Sequence, residues 1–368
     1  MIMNSLNKLH KAGQSIWLDF FDREIMDSGK LKKMIDEIDL AGITSNPSIF
    51  EKAVAAGSDY DEDIRKLSQT VKKGEEIFFD FAVKDIRRAT DILRPVYDAS
   101  GGTDGFVSLE VSPFLAKDGA GTLKQALKLW HEVNRKNVMI KIPGTKEGLT
   151  AIRKATAAGV NVNITLLFGL ERYREVTNAY ISGLEDRLKE GKSISDIFSV
   201  ASFFLSRIDV LLDSQLKAKG LNDLVGEVAI DSAKMAYQIY KEVFNNERFK
   251  KLEAKGAHKQ KVLWASTSTK DPSYSDVKYV ETLIGPNTIN TLPLATIEAF
   301  KDHGKVDQTL DSGIDKVKAR LKKLEDNGFD LDKVSDQLVE EGIEKFNDAF
   351  NKLLKAIEVK SAKVKAGA

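Results

Sequence analysis

A single lysine, Lys141, stands in the middle of the segment VMIKIPGT (residues 138 to 145), which otherwise has the composition of a buried strand. Burying an ammonium group without a partner is expensive, and an amine that escapes this cost by losing its proton can attack a carbonyl carbon. The alternative is that Lys141 lies at a strand end and extends its amine into water, as most lysines do. The residue therefore raises the hypothesis of a reactive amine.

Short apolar runs and helical patterns alternate along the chain on both sides of this segment. The apolar runs predict strands at 15–20, 42–46, 106–111, 138–143, 160–167, 198–204, 261–268 and 287–292. The stretch between 205 and 254 is longer than one crossover needs and predicts an added helix. Eight strands alternating with helices indicate an α/β protein with a (β/α)8 TIM barrel rather than an open sheet.

Residues beyond the eighth strand have helical patterns as far as about residue 360. One barrel helix does not need so many residues, so we expect additional helices at the C-terminus. The predicted organisation is a catalytic barrel over residues 1–300 and a helical extension over 301–368 that packs on the barrel within the same domain.

The alternation of side chains along each strand separates a face toward the helices from a face toward the barrel axis. In the fifth strand, Val160, Val162 and Ile164 form one face, while Asn161, Asn163 and Thr165 form the other. The same alternation predicts inward-facing pairs in the other strands, namely Trp17 with Asp19, Thr44 with Asn46, Ser108 with Glu110, Met139 with Lys141, Val200 with Ser202, and Trp264 with Ser266. The second residue of each pair is polar and lies toward the carboxyl end of its strand, where TIM barrels build active sites.

Composition excludes several classes of function. The chain has 368 residues with 56 basic and 55 acidic side chains, so no overall field attracts nucleic acid or a membrane surface. The lysine-rich stretch 250–261 is better interpreted as solvated helix surface. Without cysteine there are no disulfides or thiolate sites, and the four histidines show no metal-ligand spacing. No apolar run has the length of a membrane span, and we expect a cytoplasmic protein without metal or cofactor.

Four separated motifs, in order, resemble the transaldolase family of Schiff-base aldolases, and in particular its longer bacterial branch. They are TSNPSIF (44–50), VMIKIPGTKEGLTAI (138–152), VNVNITLLF (160–168) and LWASTSTKDPSYSD (263–276). The resemblance extends from about residue 15 to residue 300.

This resemblance implies roles for the polar residues of the strands. Lys141 would form an imine with the carbonyl of a donor ketose, and Asp19 would accept the proton of the hydroxyl beside the bond that breaks. Glu110 and Thr165 would handle water and protons while the imine forms and hydrolyses. Hydroxyl groups of the substrate would be held by Thr44, Asn46, Asn163 and Ser202.

The phosphate of the substrate would be bound by Arg207 and Ser266. Classical members of the family place a second phosphate-binding arginine two residues after this serine, where the present chain has Ser268. Our hypothesis is that Lys270 supplies the missing charge, as a point cation rather than a planar fork. Two simpler interpretations stay open: Arg207 is a solvated arginine at a helix start, and Asn46 only caps the helix that begins at Pro47.

The resemblance implies an enzyme of the pentose phosphate pathway that transfers a dihydroxyacetone unit from a ketose phosphate to an aldose phosphate. One alternative is a fructose 6-phosphate aldolase, a lyase whose members tend to carry glutamine where this chain has Glu110. Another is a catalytically silent barrel that binds sugar phosphates. The expected partners are sugar-phosphate substrates, and the expected assembly is a monomer or a homodimer.

Overall fold

The computed structural model describes residues 3–70 and 73–366, and its centre is a closed barrel of parallel strands. The strands are β1 (Gln14–Leu18), β2 (Leu40–Ile43), β3 (Phe106–Glu110), β4 (Val138–Pro143), β5 (Val162–Leu167), β6 (Ser199–Phe204), β7 (Lys261–Ala265) and β8 (Thr288–Leu292). They pair in sequence order, and β8 closes the barrel on β1. The predicted (β/α)8 barrel is confirmed.

Helices surround the barrel and extend beyond it. They are α1 (Ser5–Lys11), α2 (Arg23–Asp27), α3 (Lys30–Ile38), α4 (Pro47–Ala56), α5 (Asp61–Ser68), α6 (Gly74–Ala99), α7 (Gly119–Val133), α8 (Gly148–Ala158), α9 (Leu170–Lys189), α10 (Ser206–Ala218), α11 (Val228–Phe244), α12 (Glu247–Glu253), α13 (Lys278–Glu281), α14 (Leu294–His303), α15 (Ile314–Asp326) and α16 (Leu331–Ala366). The stretch 205–254 forms three helices, so it contains the added helical structure that its length predicts.

Strand alternation places apolar side chains between the barrel and its helices. In β5, Val162 and Ile164 are fully buried on the outer face, and Phe203 of β6 packs edge-on against Tyr173 of α9 at 6.4 Å between ring centroids. Burial of such side chains is the main source of stability for this layer. The opposite faces of the same strands are left to line the barrel axis.

The predicted alternation is wrong for β7. Trp264 is buried and packs edge-on against the ring of Phe203 at 6.4 Å between ring centroids. Its indole Nε1 donates a hydrogen bond to the carbonyl of Leu283 at 3.2 Å. The strand ends at Ala265, earlier than predicted, and Ser266 has φ +55°. Trp264 is the register partner of Phe203, which faces α9, and so it faces the helices as well. The left-handed conformation of Ser266 breaks the alternation after the strand, so that Ser266 still reaches the barrel mouth.

Helix α16 crosses the carboxyl end of the barrel. Its Gly342 lies over β5, where an added Cβ would be 2.7 Å from Cδ2 of Leu166. Further along, Phe350 packs edge-on against Phe78 of α6 at 5.4 Å and against Phe114 at 5.3 Å. These contacts attach the extension to the barrel; residues 367 and 368 of the predicted extension lie outside the described residues.

The helices give no indication of a membrane-spanning segment. Within residues 3–70 and 73–366, none is both long and apolar enough to cross a bilayer.

Candidate active site

Lys141 lies near the carboxyl end of β4 and is buried, with 6% of its side chain exposed. Its Nζ is 3.1 Å from Oε2 of Glu110 and donates a hydrogen bond to the carbonyl oxygen of Ser45 at 3.0 Å. The lysine therefore does not extend into water. It forms an ion pair inside the barrel, which compensates much of the cost of burying its charge.

The register of the parallel strands brings these groups together. Glu110 is the partner of Lys141 across β3 and β4, and Lys141 is the partner of Asn163 across β4 and β5. Residues at equal register in neighbouring strands point to the same side of the sheet. An acid, an amine and an amide consequently lie side by side on the inner surface.

Asp19 follows β1 and lies at the same end of the barrel. Its Oδ1 accepts a hydrogen bond from Oγ1 of Thr44 at 3.0 Å, and Thr44 Oγ1 is 2.7 Å from Oγ1 of Thr291. Burial raises the pKa of Asp19 above its ordinary value of 3.8, and the charge of Lys141 and the bond from Thr44 partly offset this rise. A raised pKa suits a carboxyl group that accepts and returns protons near neutral pH.

Burial also raises the pKa of Glu110, and the charge of Lys141 opposes the rise. Asp19 adds a smaller repulsive effect in the raising direction. The carboxyl groups of Asp19 and Glu110 therefore both interact with the ammonium group of Lys141, and for each of them this attraction offsets only part of the effect of burial. This arrangement can move a proton between an acid and the amine.

A chain of buried hydrogen bonds fixes Asn163 beside the lysine. Its Nδ2 donates to Ser108 Oγ at 2.9 Å, and its Oδ1 accepts from Ser202 Oγ at 2.7 Å. Thr165, two residues further along β5, has a buried Oγ1 with no hydrogen-bond partner among the described residues. An unpartnered buried hydroxyl is costly, and a molecule bound in the barrel could remove this cost by forming a hydrogen bond with Thr165.

A cavity of about 320 Å³ opens at the carboxyl end of the barrel and contacts most of the predicted residues. Its wall includes Asp19, Thr44, Asn46, Lys141, Thr165, Ser202, Arg207, Ser266 and Lys270. Glu110 and Asn163 do not line it; they lie behind Lys141 and Ser202, which they contact. The polar residues that strand alternation placed on the inner face therefore lie together at one end of the barrel.

Asn46 has both of the properties that the sequence left open. Its Oδ1 accepts a hydrogen bond from the backbone N–H of Ile49 at 3.0 Å and so caps α4, and its side chain also lines the cavity. Ser266 Oγ is 2.8 Å from Ser206 Oγ at the start of α10. The helix cap therefore holds Asn46, and the contact with Ser206 holds Ser266, at the rim of the cavity.

Arg207 lies at the second position of α10, between the rings of Phe204 and Phe346, at 5.5 and 5.8 Å from their centroids. Burial lowers the pKa of its guanidinium, and the buried Nη1 has no hydrogen-bond partner in the described part of the chain. The flanking rings hold the guanidinium plane through cation–π contacts. Arg207 is thus not a solvated surface arginine.

Lys270 donates a hydrogen bond from Nζ to Ser268 Oγ at 2.6 Å. Burial and the neighbouring charge of Arg207 lower the pKa of its ammonium group. Within residues 3–70 and 73–366, no carboxylate pairs with Arg207, Lys270 or Lys52, which also lines the cavity. Unpaired cations at one cavity favour an anion with more than one negative charge.

The sequence did not identify Lys52 and Phe346 as site residues. Lys52 lies on α4 one turn after Ser48, and both line the cavity. The helix that begins after Asn46 could therefore have predicted that Lys52 faces the same side as Ser48. Phe346 reaches the cavity from α16, far along the chain, and nothing in its surrounding sequence marks that position.

The fold and site together define a class of α/β barrel that presents a buried amine, flanked by two acids, at the carboxyl end of its strands. The chain belongs to the transaldolase/fructose-6-phosphate aldolase family, whose sequence profile matches residues 16–357. It is 47% identical to the transaldolase of Trichodesmium erythraeum (strain IMS101) over 99% of each chain.

Similar identities hold for relatives from other bacteria. The chain is 47% identical to transaldolase 2 of Nostoc sp. (strain PCC 7120 / SAG 25.82 / UTEX 2576) over 98% of each chain. It is 44% identical to transaldolase 2 of Streptomyces coelicolor over 96% of each chain. The family resemblance of the four sequence motifs is confirmed over nearly the whole length of the protein.

The ion pair generates a prediction about stability. Replacing Lys141 by methionine removes the charge that opposes the rise of the Glu110 pKa. An acid whose pKa is higher in the folded state stabilises that state at low pH, and this contribution is lost as the pH rises through the folded pKa. We expect Lys141→Met to lose little stability near pH 4 and about 3 kcal/mol near pH 8, measured by urea denaturation.

The double variant Lys141→Met/Glu110→Gln is the control, because it removes the titrating acid as well. Its free energy of unfolding near pH 8 should recover most of the loss. An equal loss for the single variant at both pH values would contradict the assignment of this pair as the source of the effect.

Proposed function

We propose that the protein is a transaldolase that transfers a dihydroxyacetone unit from a ketose phosphate, such as sedoheptulose 7-phosphate or fructose 6-phosphate, to an aldose phosphate. The observation that carries this proposal is the buried Lys141 with its acid partner Glu110 beneath a cavity whose rim holds unpaired cations. The names of the relatives support the same reaction for this chain.

The proposed reaction begins when Glu110 accepts a proton from Lys141, whose Nζ lies 3.1 Å away. The neutral amine attacks the ketose carbonyl carbon, and loss of water gives the imine. Asp19 then accepts the proton of the hydroxyl beside the bond that breaks. The bonding electrons move toward the imine, the aldose phosphate leaves, and a three-carbon enamine stays on Lys141.

Transfer is completed when the enamine carbon attacks the aldehyde of the acceptor and Asp19 returns its proton to the new hydroxyl. Water then hydrolyses the imine and frees the amine. Thr165, with its unpartnered Oγ1, is proposed to orient this water together with Glu110. The substrate hydroxyl groups are proposed to bind three residues that line the cavity, namely Thr44, Asn46 and Ser202. Asn163 is proposed to act behind them, by positioning Ser202 through their hydrogen bond.

The phosphate is proposed to bind Arg207, Ser266 and Lys270 at the rim, with Lys52 as an additional cation. Arg207 offers a planar fork held between two rings, whereas the lysines act as point charges. This division separates phosphate recognition at the cavity mouth from bond making at Lys141 inside the barrel.

We also propose that residues 1–300, as the catalytic barrel, and residues 301–368, as a helical extension, form one domain. Phe346, which α16 contributes to the cavity, supports this proposal. A cytoplasmic location, a monomeric or homodimeric state and the absence of nucleic-acid binding are likewise proposals. In the stretch 250–261, Lys250 pairs with Glu247 and Lys259 lies 3.7 Å from Glu253, which supports a solvated surface.

A transfer assay tests the proposed reaction against the lyase and the silent barrel. With fructose 6-phosphate alone we expect little release of dihydroxyacetone, and addition of an aldose phosphate acceptor should start steady turnover. Release of dihydroxyacetone as fast as its transfer would identify a lyase. No turnover of fructose 6-phosphate, with or without the acceptor, would identify a silent barrel.

The variant Glu110→Gln should shift the balance from transfer toward free release, since an amide cannot exchange a proton with Lys141 and the related lyases carry glutamine there. Glu132→Gln, outside the cavity on α7 and with 41% of its side chain exposed, is the matched control. An unchanged ratio of release to transfer in Glu110→Gln would contradict the role assigned to Glu110.

The rim cations provide a further prediction. We expect Lys270→Ala and Lys52→Ala each to raise KM for fructose 6-phosphate about tenfold, with a smaller change in kcat, because each loses one charged contact to the phosphate. Lys251→Ala, on α12 and outside the cavity, should behave as wild type. An unchanged KM in Lys270→Ala would remove that residue from the phosphate site.

A further inference from the structure

The phosphate site that we propose is divided between two segments of the chain. Arg207 belongs to α10, and Ser266 and Lys270 belong to the segment that follows β7. At one end these segments touch directly, because the backbone N–H of Ser206 donates to the carbonyl of Ser266 at 3.1 Å. Beyond this contact, the segment after β7 must be held in place by other residues if Lys270 is to face Arg207.

A buried acid on α10 provides one such attachment. Asp209, two residues after Arg207, is 1% exposed. It accepts hydrogen bonds from Oη of Tyr279 at 2.6 Å and from the backbone N–H of Ala229 at 2.9 Å. Burial raises its pKa to about 6, so keeping this acid inside the protein is costly.

A second acid lies one helical turn further along α10. Asp213 accepts hydrogen bonds from Oη of Tyr274 at 2.6 Å and from the backbone N–H of Gly226 at 2.8 Å. Residues four apart lie on one face of a helix, so Asp209 and Asp213 both meet the chain that follows β7. Two tyrosines thus attach this chain to the helix that carries Arg207.

Lys278 closes the cluster between the two tyrosines. Its Nζ is 3.6 Å from the ring centroid of Tyr274 and 3.9 Å from Oδ2 of Asp209. Gly226 has φ +72°, and an added Cβ would lie 2.5 Å from Lys278 Nζ and 2.7 Å from the Tyr274 ring. Only glycine permits this close approach, which makes the cluster closely packed rather than a loose surface contact.

The cluster lies next to the active site without belonging to it. None of its acids and tyrosines lines the active-site cavity. They line a neighbouring cavity of about 430 Å³, and Lys270 lines both cavities. Lys270 therefore stands at the point where movement of the cluster would reach the substrate.

We propose that the pairs Asp209–Tyr279 and Asp213–Tyr274, here named the acid–tyrosine clamp, are positioning residues that hold Lys270 and Ser266 against α10 so that they bind the same phosphate as Arg207. This inference rests on the proposed function. It predicts that the clamp favours phosphorylated ketoses specifically, because Lys141 and its acids are attached to other strands.

The variants Tyr274→Phe and Tyr279→Phe test the clamp by removing one hydroxyl each. We expect kcat/KM for fructose 6-phosphate to fall about tenfold, mainly through KM, while kcat/KM for unphosphorylated fructose is unchanged. Tyr237→Phe is the control, since it removes a hydrogen bond of the same kind, from Oη to the carbonyl of Pro286 at 3.0 Å, outside the clamp. A parallel loss with both donors, or no loss with either, would overturn the proposal.

Calorimetric titration with inorganic phosphate separates this inference from the proposed function. If wild type turns over neither donor, the transaldolase proposal fails, and the clamp is judged by phosphate binding alone. Weaker phosphate binding in both clamp variants than in wild type and Tyr237→Phe would support the clamp. Equal dissociation constants in all four proteins would reject it.

Discussion

The ion pair between Lys141 and Glu110 is the interaction on which the rest of the structure depends. A lysine with 6% of its side chain exposed needs a partner, and the register of β3 against β4 supplies an acid at 3.1 Å. Burial in turn raises the pKa of that acid, which suits the proton exchange that we propose between Glu110 and Lys141. Closure of the barrel places Asp19 near the same amine from β1.

Two kinds of polar environment follow from this arrangement. Inside the barrel, Asn163, Ser108 and Ser202 satisfy one another through hydrogen bonds and form a fixed surface around the lysine. At the rim, Arg207, Lys52 and Lys270 lack carboxylate partners among the described residues. The chain has nearly as many acidic as basic residues, so its overall charge does not explain why these cations lack such partners. Three such cations at one cavity are therefore a local feature of the site.

Much of the fold and site could be predicted because strand alternation and register are local rules. The contrast of Val162 and Ile164 with Asn163 and Thr165 was sufficient to orient β5. The same rule failed for the pair Trp264 and Ser266, since the positive φ of Ser266 breaks the alternation between them and depends on how the loop after β7 meets α10. Phe346 was beyond reach because its place in the cavity depends on how α16 crosses the barrel.

The central claim is that Lys141 forms a covalent imine with the donor ketose. Borohydride reduction in the presence of fructose 6-phosphate, followed by mass mapping of peptides, tests it most directly, with Lys141→Met as the control. The account predicts one stable three-carbon or six-carbon adduct on Lys141 and none on the variant. An adduct on another lysine, or no adduct on the active protein, would contradict it.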